Sequence, residues 1–303
     1  MNKRYIARDV DGIVLLNKPF GISSNAALQQ IKHLYQARKA GHTGSLDNLA
    51  TGLLPVCLGE ATKFSSFLLD ADKAYRAECT LGATTTTADA EGEVLSTAST
   101  EGITLEKIIA VLPQFTGEIL QVPPMYSALK QQGQTLYKLA RQGKTVERAA
   151  RPVTIYSIEV ENFVENCLTL QVSCSKGTYI RTLAEDIGHA LGCGAFISAL
   201  HRVRVGDYQT MFTYPSLIEL GTQGGLPALD ALLIPIAEAL PRFPEIHLNE
   251  TMSTALKYGQ VVILPNAAPE GLVRLFDAEA NFFGLGEYHA AGKLTVKRLL
   301  QQA

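Results

Sequence analysis

One glycine-rich stretch, residues 41–59, holds the residues of this 303-residue chain that are best suited to chemistry. It sets three polar side chains, those of His42, Thr43 and Asp47, among leucines. Its four glycines and single proline predict tight turns rather than a plain helix or a regular strand. A carboxylate on such a loop needs a matching charge, because its ionised form is costly to bury. The ordinary alternative is that Asp47 caps the turn or short helix that follows.

The sequence of this stretch resembles the signature of the TruB family of tRNA pseudouridine synthases, Gly-His-Thr-Gly-x-Leu-Asp-Pro-Leu-Ala-x-Gly. The match runs in fixed order from Gly41 to Gly52. One position departs from the family, because Asn48 stands where the signature has proline. A proline would hold the preceding Asp47 away from helical backbone angles and remove one backbone donor. Asn48 imposes neither constraint, so the sequence leaves open how rigidly the side chain of Asp47 is held.

Two further blocks in the first part of the chain resemble the same family. Residues 16–21 match Leu-x-Lys-Pro-x-Gly, and this resemblance implies that Lys18 and Pro19 border the active cleft. Residues 73–75 match Lys-x-Tyr, which implies that Tyr75 stacks on the target base. The ordinary alternative for Tyr75 is a core aromatic on a strand, where tyrosine is common.

A later block, residues 176–183, is close to the third catalytic motif of the family. The resemblance implies that the guanidinium of Arg181 pairs with Asp47 and keeps that carboxylate ionised. Tyr179 is expected to form a wall of the pocket, and Leu200 is expected by resemblance to line it. On the residues alone, Arg181 has another use, which is to cover apolar surface with its stem.

Local clusters of basic residues must supply any RNA-binding surface, because the formal net charge of the whole chain is only -2. Residues 130–151 hold six basic side chains, among them Lys130 and Arg141, and one acidic side chain. By resemblance this region belongs to an insertion, about 124–152, that clamps the tRNA arm. A solvated basic surface is the ordinary alternative. Arg202 and Arg204 are also expected to face RNA.

The pattern of elements predicts an α+β protein. An apolar run at residues 12–17 is typical of a buried strand, and residues 73–82 alternate like a half-buried strand. An amphipathic helix is expected to begin at Ser23 or Ser24 and to end at Gly41. By resemblance the architecture is the pseudouridine synthase fold, a mixed sheet flanked by helices, in a catalytic domain over residues 1–240.

A second, smaller domain is expected at the end of the chain. Glycines and prolines between residues 221 and 244 predict a linker, and several short strand-like segments follow it. By resemblance residues 245–303 form a small β-rich, PUA-like RNA-binding domain. Its five basic and six acidic residues give this assignment little support from charge.

Composition excludes several other classes of protein. Hydrophobic residues make up 47% of the chain and charged residues 18%, which is typical of a packed core and not of disorder. Five cysteines without any C-x-x-C pair argue against a zinc site and against a disulfide framework. Apolar runs too short to span a membrane, after a polar start, predict a cytoplasmic protein with no membrane contact. A monomer is expected.

The expected reaction is the isomerisation of uridine to pseudouridine in the T-arm loop of tRNA, at position 55 by tRNA numbering. This reaction needs no metal or cofactor, and one ionised carboxylate beside the sugar and base can suffice. The target base must leave its stack. His42 is then placed to displace or replace the flipped base, unless it is an ordinary core histidine.

Two alternatives to this reaction come from other classes. A T-arm-binding RNA chaperone would use the same basic segment without chemistry, although a pure binder has no need of a carboxylate facing an anionic ligand. A nucleotide-binding enzyme would use the turn at residues 41–44 as a phosphate loop. Asp47 would repel phosphate there, and no Gly-Lys-Ser/Thr sequence follows.

Overall fold

The computed structural model describes residues 7–131, 133–264 and 269–301. Residues 1–6, 132, 265–268 and 302–303, which the predicted domains include, therefore lie outside the described residues. The strands in chain order are β1 (Gly12–Lys18), β2 (Ala40–His42), β3 (Thr51–Leu58), β4 (Lys73–Leu81), β5 (Ala83–Thr85), β6 (Val94–Thr97), β7 (Gly117–Gln121), β8 (Lys130–Gln131), β9 (Gln134–Thr135), β10 (Arg151–Val164), β11 (Cys167–Cys174), β12 (Ala195–Val205), β13 (Phe212–Thr213), β14 (Glu245–His247), β15 (Val262–Ile263), β16 (Gly271–Phe276), β17 (Phe282–Tyr288) and β18 (Lys293–Leu299). The α-helices are α1 (Ser24–Leu34), α2 (Ser65–Leu69), α3 (Leu105–Val111), α4 (Leu136–Arg141), α5 (Ile180–Ala190), α6 (Tyr214–Asp230) and α7 (Glu250–Lys257).

The largest sheet has nine strands and is mixed. Its order is β13-β1-β3-β12-β4-β11-β10-β7, with β2 paired to β3 beside this path. The pairs β1–β13 and β3–β12 are parallel, and the remaining pairs of this sheet are antiparallel. Short hairpins, β5–β6 and β8–β9, stand apart from it. This arrangement confirms the prediction of an α+β fold with a mixed sheet.

Strand β1 shows why its sequence is a continuous apolar run. Val14 and Leu16 pack into one core cluster, together with residues of α1 and α5. Ile13 and Leu15 pack into a second cluster on the opposite face, with Phe64. A strand that is covered on both faces has no solvent side, so its residues do not alternate with polar ones. Strand β4 alternates between buried and half-buried positions, as predicted.

Helix α1 is shorter than the sequence predicted. It begins after Ser23, whose side chain accepts a hydrogen bond from the Ala26 N–H, but it ends at Leu34 rather than at Gly41. Gln36 adopts a left-handed backbone with φ of 52°, which breaks the helix without a glycine. The Ala37 N–H then donates to the Lys32 carbonyl, in the manner of a helix C-cap. Gly41 lies in β2 instead.

The glycine-rich stretch is half loop and half strand. Its first two residues belong to β2, and residues 43–50 are irregular as predicted, but residues 51–58 form the buried strand β3. Gly52 permits this strand, because its φ is 101° and an added Cβ would lie 2.3 Å from the Arg202 carbonyl oxygen. A turn, closed by a hydrogen bond from the Ala50 N–H to the Asp47 carbonyl, and then a strand follow Asp47, so there is no helix at this place for it to cap.

The C-terminal part forms a separate five-stranded sheet, in the order β14-β16-β17-β18-β15. The strand-like segments predicted there are present, whereas α7 was missed. Helix α6 runs through the glycines of the predicted linker and breaks only at Gly225, where φ is 66°. The rings of Phe64 and Phe282, 5.9 Å apart, join this sheet to the main domain. Among the described residues, every helix is too short or too polar to cross a membrane.

Candidate active site

A cavity of about 680 Å³ brings most of the predicted site residues together. This volume falls in the range of small-ligand sites and is large enough for a nucleoside. The irregular loop before β3 forms one wall, and the segment around the start of α5 forms another. The predicted residues that line it are His42, Asp47, Tyr75, Tyr179, Arg181 and Leu200.

The predicted ion pair between Asp47 and Arg181 is present. Arg181 Nε lies 3.0 Å from Asp47 Oδ2. The arginine side chain is only 6% exposed, whereas the aspartate side chain is 45% exposed. Because the carboxylate is the exposed partner of the pair, it is the group that a ligand in the cavity meets.

Arg181 is held by three further acceptors. Its Nη1 lies 3.3 Å from Asp89 Oδ2, and Nη1 and Nη2 also donate to the carbonyls of Thr87 and Tyr126 at 3.0 and 2.8 Å. Asp89 is itself buried and accepts hydrogen bonds from the Thr87 hydroxyl and the Glu91 N–H. A guanidinium with acceptors on every side cannot move without breaking several bonds. The arginine is therefore a fixed charge.

The charge on Asp47 is under opposing influences. Its place inside the cavity walls raises the pKa of Asp47 above the ordinary value, and Asp89 adds to this rise. Arg181 and Lys18 lower the pKa of the same carboxyl. The expected effect of Arg181, which is to favour the ionised form, therefore has the predicted direction, but desolvation outweighs it.

The loop that carries Asp47 is anchored at three points. Ser24 Oγ accepts a hydrogen bond from the Leu46 N–H at 2.7 Å and lies 2.9 Å from the Leu46 carbonyl. The Asn48 carbonyl accepts bonds from the Gly21 N–H at 2.9 Å and from Lys18 Nζ at 3.4 Å. Asn48 therefore does not leave the loop free, although the family proline is missing.

Lys18 and Pro19 were predicted to border the cleft, yet neither lines the cavity. Lys18 is fully buried, and its ammonium also donates to the carbonyls of Pro19 and Ile22 at 2.9 and 2.7 Å. Burial lowers the pKa of Lys18 to about 8. Its ammonium is hydrogen-bonded to backbone carbonyls of the turn and of the loop that carries Asp47, so Lys18 positions this loop without lining the cavity.

Tyr75 lies on β4 at the floor of the cavity, directly opposite Arg202 of β12. It is 9% exposed, and burial raises the pKa of its hydroxyl while the charge of Arg202 opposes that rise. Arg202 and Arg204 were expected to face RNA; the burial of Arg202 argues against this, whereas for Arg204 it stays a prediction. Arg202 is 1% exposed and donates to the carbonyls of Leu53 and Gly44 at 2.7 and 3.1 Å. Arg204 is half-buried and donates to Ser173 Oγ at 2.9 Å.

His42, Tyr179 and Leu200 complete the cavity wall. The Nδ1 atom of His42 is buried and has no hydrogen-bond partner among the described residues, which a satisfied core histidine would have. Burial lowers the pKa of His42, so its neutral form is favoured. Tyr179 begins α5 and is fixed by paired bonds with the buried side chain of Gln121, at 2.8 and 3.0 Å.

The predicted insertion forms part of the cavity wall, where Ser127 and Arg151 are among the residues that line it. Lys130 and Arg141 are exposed, and neither lines the cavity. Arg141 stacks over the ring of Tyr137 at 4.7 Å, and Tyr137 in turn packs edge-on against Tyr126, with ring centroids 6.2 Å apart. Tyr126 does line the cavity. The aromatic pair thus links helix α4 of the insertion to the cavity wall.

Two residues of the site were missed from the sequence. Asp89 falls in residues 85–92, which match a Thr-x-Thr-x-Asp-x-x-Gly pattern, but nothing in the spacing says that its carboxylate reaches Arg181. Arg202 was expected to face RNA, although its side chain is buried. Its hydrogen-bond partners are backbone carbonyls, and a sequence pattern does not indicate which carbonyls lie near an arginine. The described residues contain no group of three or more His, Cys, Asp or Glu side chains placed to hold a metal ion.

Comparison with known proteins identifies the family of this chain. Residues 32–180 match the profile described as TruB family pseudouridylate synthase, N-terminal domain. Residues 181–241 match the tRNA pseudouridylate synthase B C-terminal domain, and residues 244–300 match the profile described as pseudouridine synthase II TruB, C-terminal. The chain belongs to the TruB family of pseudouridylate synthases, which are isomerases.

Its relatives are similar along almost their full length. The protein named tRNA pseudouridine synthase B from Nitrosococcus oceani is 51% identical over 300 residues, covering 98% of this chain and 97% of its own length. The protein of the same name from Stutzerimonas stutzeri is 52% identical over 298 residues, with the same two shares.

Solved structures share the fold. A structure of an H/ACA ribonucleoprotein bound to a substrate RNA containing 2'-deoxyuridine matches with a TM-score of 0.72 and 25% identity, covering 96% of this chain and 85% of that one. A Cbf5-Nop10-Gar1 complex matches with a TM-score of 0.71 and 27% identity, over 95% and 84% of the two chains. The predicted fold class, including a small C-terminal β domain, is confirmed.

Proposed function

We propose that this protein isomerises uridine to pseudouridine in the T-arm loop of tRNA, at position 55, with Asp47 as the group that acts on the flipped nucleotide. The observation that carries this proposal is the Asp47–Arg181 pair. It puts a half-exposed carboxylate against a buried, immobile guanidinium inside a nucleoside-sized cavity. The named function of the relatives points the same way.

The reaction rearranges one nucleotide. The bond between uracil N1 and the sugar C1' breaks, the uracil turns, and a new bond forms between C5 and C1'. The proton on C5 leaves, and N1 gains a proton, so no electrons are exchanged with another molecule. The carboxylate of Asp47 can serve by attacking the nucleotide or by stabilising the positive charge that develops as the first bond breaks. Both roles require the ionised form.

The other cavity residues suit the handling of a flipped base. Tyr75 offers an aromatic face beside Asp47, and base flipping enzymes stack the extruded base on such a face. Leu200 and Tyr179 supply apolar wall, while the half-buried His42 lies at the side with an unpaired ring nitrogen. The catalytic role of Tyr75 and Arg181, and the binding role of these wall residues, are part of the proposal.

The RNA outside the cavity is proposed to lie along the insertion. Lys130 and Arg141 are exposed cations next to the cavity wall formed by Tyr126, and phosphate contacts of this kind contribute most of the affinity for RNA. We also propose that the catalytic domain extends over residues 1–240 and that residues 245–303 bind RNA. Action as a monomer in the cytoplasm stays a prediction.

The test is tritium release from a T-arm stem-loop labelled at uracil C5, without added metal or nucleotide. Wild type is expected to release tritium, whereas Asp47→Ala and the nearly isosteric Asp47→Asn are expected to release none while still binding the RNA. Thermal melting of the variants shows that they remain folded. Release by Asp47→Asn at the wild-type rate would overturn the assignment of Asp47. Tight binding without release by the wild type would favour the RNA chaperone, which no comparison supports.

A further inference from the structure

A second ion pair lies at the rim of the cavity. Lys176 Nζ is 2.8 Å from Asp70 Oδ1, and both residues line the cavity. The pair joins the loop between β11 and α5 to the turn that follows α2. The two side chains are 59% and 47% exposed, so the pair stands in water at the edge of the site.

Asp70 is an unexpected residue at this place. Among the described residues that line the cavity, only Asp47 and Asp70 carry a carboxylate. The proposed ligand is a polyanion, and a carboxylate facing it is repelled. Asp47 has a chemical reason to be there, because it acts on the base. Asp70 has no such reason. Among the described residues its carboxylate is hydrogen-bonded to Lys176, and it interacts with the buried ammonium of Lys73 through charge alone.

The turn that presents Asp70 is held in place by a buried lysine. Lys73 is 6% exposed, and its Nζ donates to the carbonyls of Leu69 and Ala71, on either side of Asp70. The ammonium of Lys73 is therefore occupied, and it fixes the acid at the rim. Lys176 is different, because its side chain is largely exposed and the next residue, Gly177, has a positive φ of 81° with open space around it. The lysine is the partner that can move.

We propose that Asp70 competes with RNA for Lys176. In the free protein Lys176 pairs with Asp70, and in the complex it pairs instead with a phosphate of the T-arm backbone at the cavity rim. An exposed ion pair contributes only about 0 to 1 kcal/mol, so a phosphate that arrives with a flipped base in the cavity can replace it. RNA whose base does not enter the cavity has to break the Lys176–Asp70 pair and is repelled by Asp70, so it binds more weakly at this place. This inference rests on the proposed function and adds a phosphate subsite to it.

The experiment measures the Kd of a T-arm stem-loop over a series of salt concentrations, in an Asp47→Ala background that prevents turnover. Asp70→Asn is expected to tighten binding by about twofold to fivefold, since one competing and repelling charge is lost. Lys176→Gln is expected to weaken binding and to reduce the slope of log K against log salt by about 0.7 to 0.9, the loss of one phosphate contact. Lys176→Arg, which keeps the charge, should keep the slope.

The double variant and a matched control separate competition from a general charge effect. In the Lys176→Gln background, the gain from Asp70→Asn should shrink, because there is no lysine to release. Asp9→Asn removes the same charge from another exposed ion pair, Arg38–Asp9 at 3.1 Å, outside the cavity, and should leave Kd unchanged.

Two results would overturn the competitor role while leaving the synthase intact. The first is weaker or unchanged binding by Asp70→Asn, and the second is an equal gain from Asp9→Asn. A wild-type chain that neither binds the stem-loop nor releases tritium from it would instead refute the proposed function.

Discussion

Asp47 and Asp89 share the guanidinium of Arg181, at 3.0 and 3.3 Å, but only Asp47 faces the cavity. The side chain of Asp89 is 3% exposed and that of Asp47 is 45% exposed. The two carboxylates therefore have different roles. Asp89 holds Arg181 in place, and Arg181 in turn holds Asp47, the carboxylate that faces the cavity. Since one positive charge serves two negative charges, the ionised form of Asp47 is only partly compensated.

This sharing predicts how activity depends on pH. Asp47 works in its ionised form, so activity falls as the pH drops through its pKa, and that pKa is raised by burial. Arg181 lowers the pKa, so Arg181→Met should raise it further and move the acid limb of the single-turnover rate to higher pH. Single-turnover tritium release over a range of pH measures this limb. Arg76→Met, which removes an arginine from an exposed ion pair, serves as control. An acid limb that stays in place in Arg181→Met would contradict the prediction.

Lys18 predicts a loss of stability rather than a loss of substrate contact. In Lys18→Met, the carbonyls of Pro19, Ile22 and Asn48 lose a donor in a fully buried place, which should lower the free energy of unfolding by about 1 to 3 kcal/mol. Chemical denaturation measures this change. Activity should fall mainly in kcat, because the Asn48 backbone next to Asp47 is loosened. The exposed Lys39→Met is the control. A variant with wild-type stability and a raised KM would restore the earlier expectation that Lys18 contacts substrate.

The sequence predicted the parts of the site that lie within its motifs. The Asp47–Arg181 pair was expected because each residue sits in a recognisable block, and the structure brings the two blocks together. The buried strand β1 and the alternating strand β4 were predicted because apolar periodicity reports burial directly.

The failures of prediction have a common physical cause. Lys18 was expected by resemblance to border the cleft, and Arg202 was expected to face RNA, yet both are buried and donate to backbone carbonyls. Helix α1 ends at Leu34, just before a left-handed Gln36, whereas a glycine was expected to end it. Backbone acceptors and backbone angles depend on tertiary contacts, and a pattern of side-chain types does not record them.

Asn48 predicts a stabilising substitution. The backbone carbonyl of Asn48 is engaged, but its N–H makes no hydrogen bond among those of the described residues, and its φ is not positive. Asn48→Pro therefore removes no bond and restricts the unfolded chain, which should raise the free energy of unfolding by about 0.4 to 1 kcal/mol. Tritium release should stay at or above the wild-type rate. Asn48→Ala separates the effect of the ring from the loss of the amide. A sharp drop in activity in the proline variant alone would mean that the loop needs a backbone angle that proline forbids.

The insertion predicts an effect on catalysis that is separable from RNA affinity. Tyr126 gives its carbonyl to Arg181 at 2.8 Å, and its ring packs against Tyr137 of α4, 6.2 Å away. Tyr137→Ala should loosen Tyr126 and with it one of the bonds that fix Arg181, so the single-turnover rate should fall. An edge-on aromatic pair contributes about 0.5 to 1.5 kcal/mol, which bounds the loss at about twofold to tenfold. Tyr137→Phe keeps the ring and should react at the wild-type rate. Arg141→Ala removes an exposed cation instead and should raise Kd with little change in rate. If Tyr137→Ala changed only Kd, the aromatic pair would serve RNA binding and not the position of Arg181.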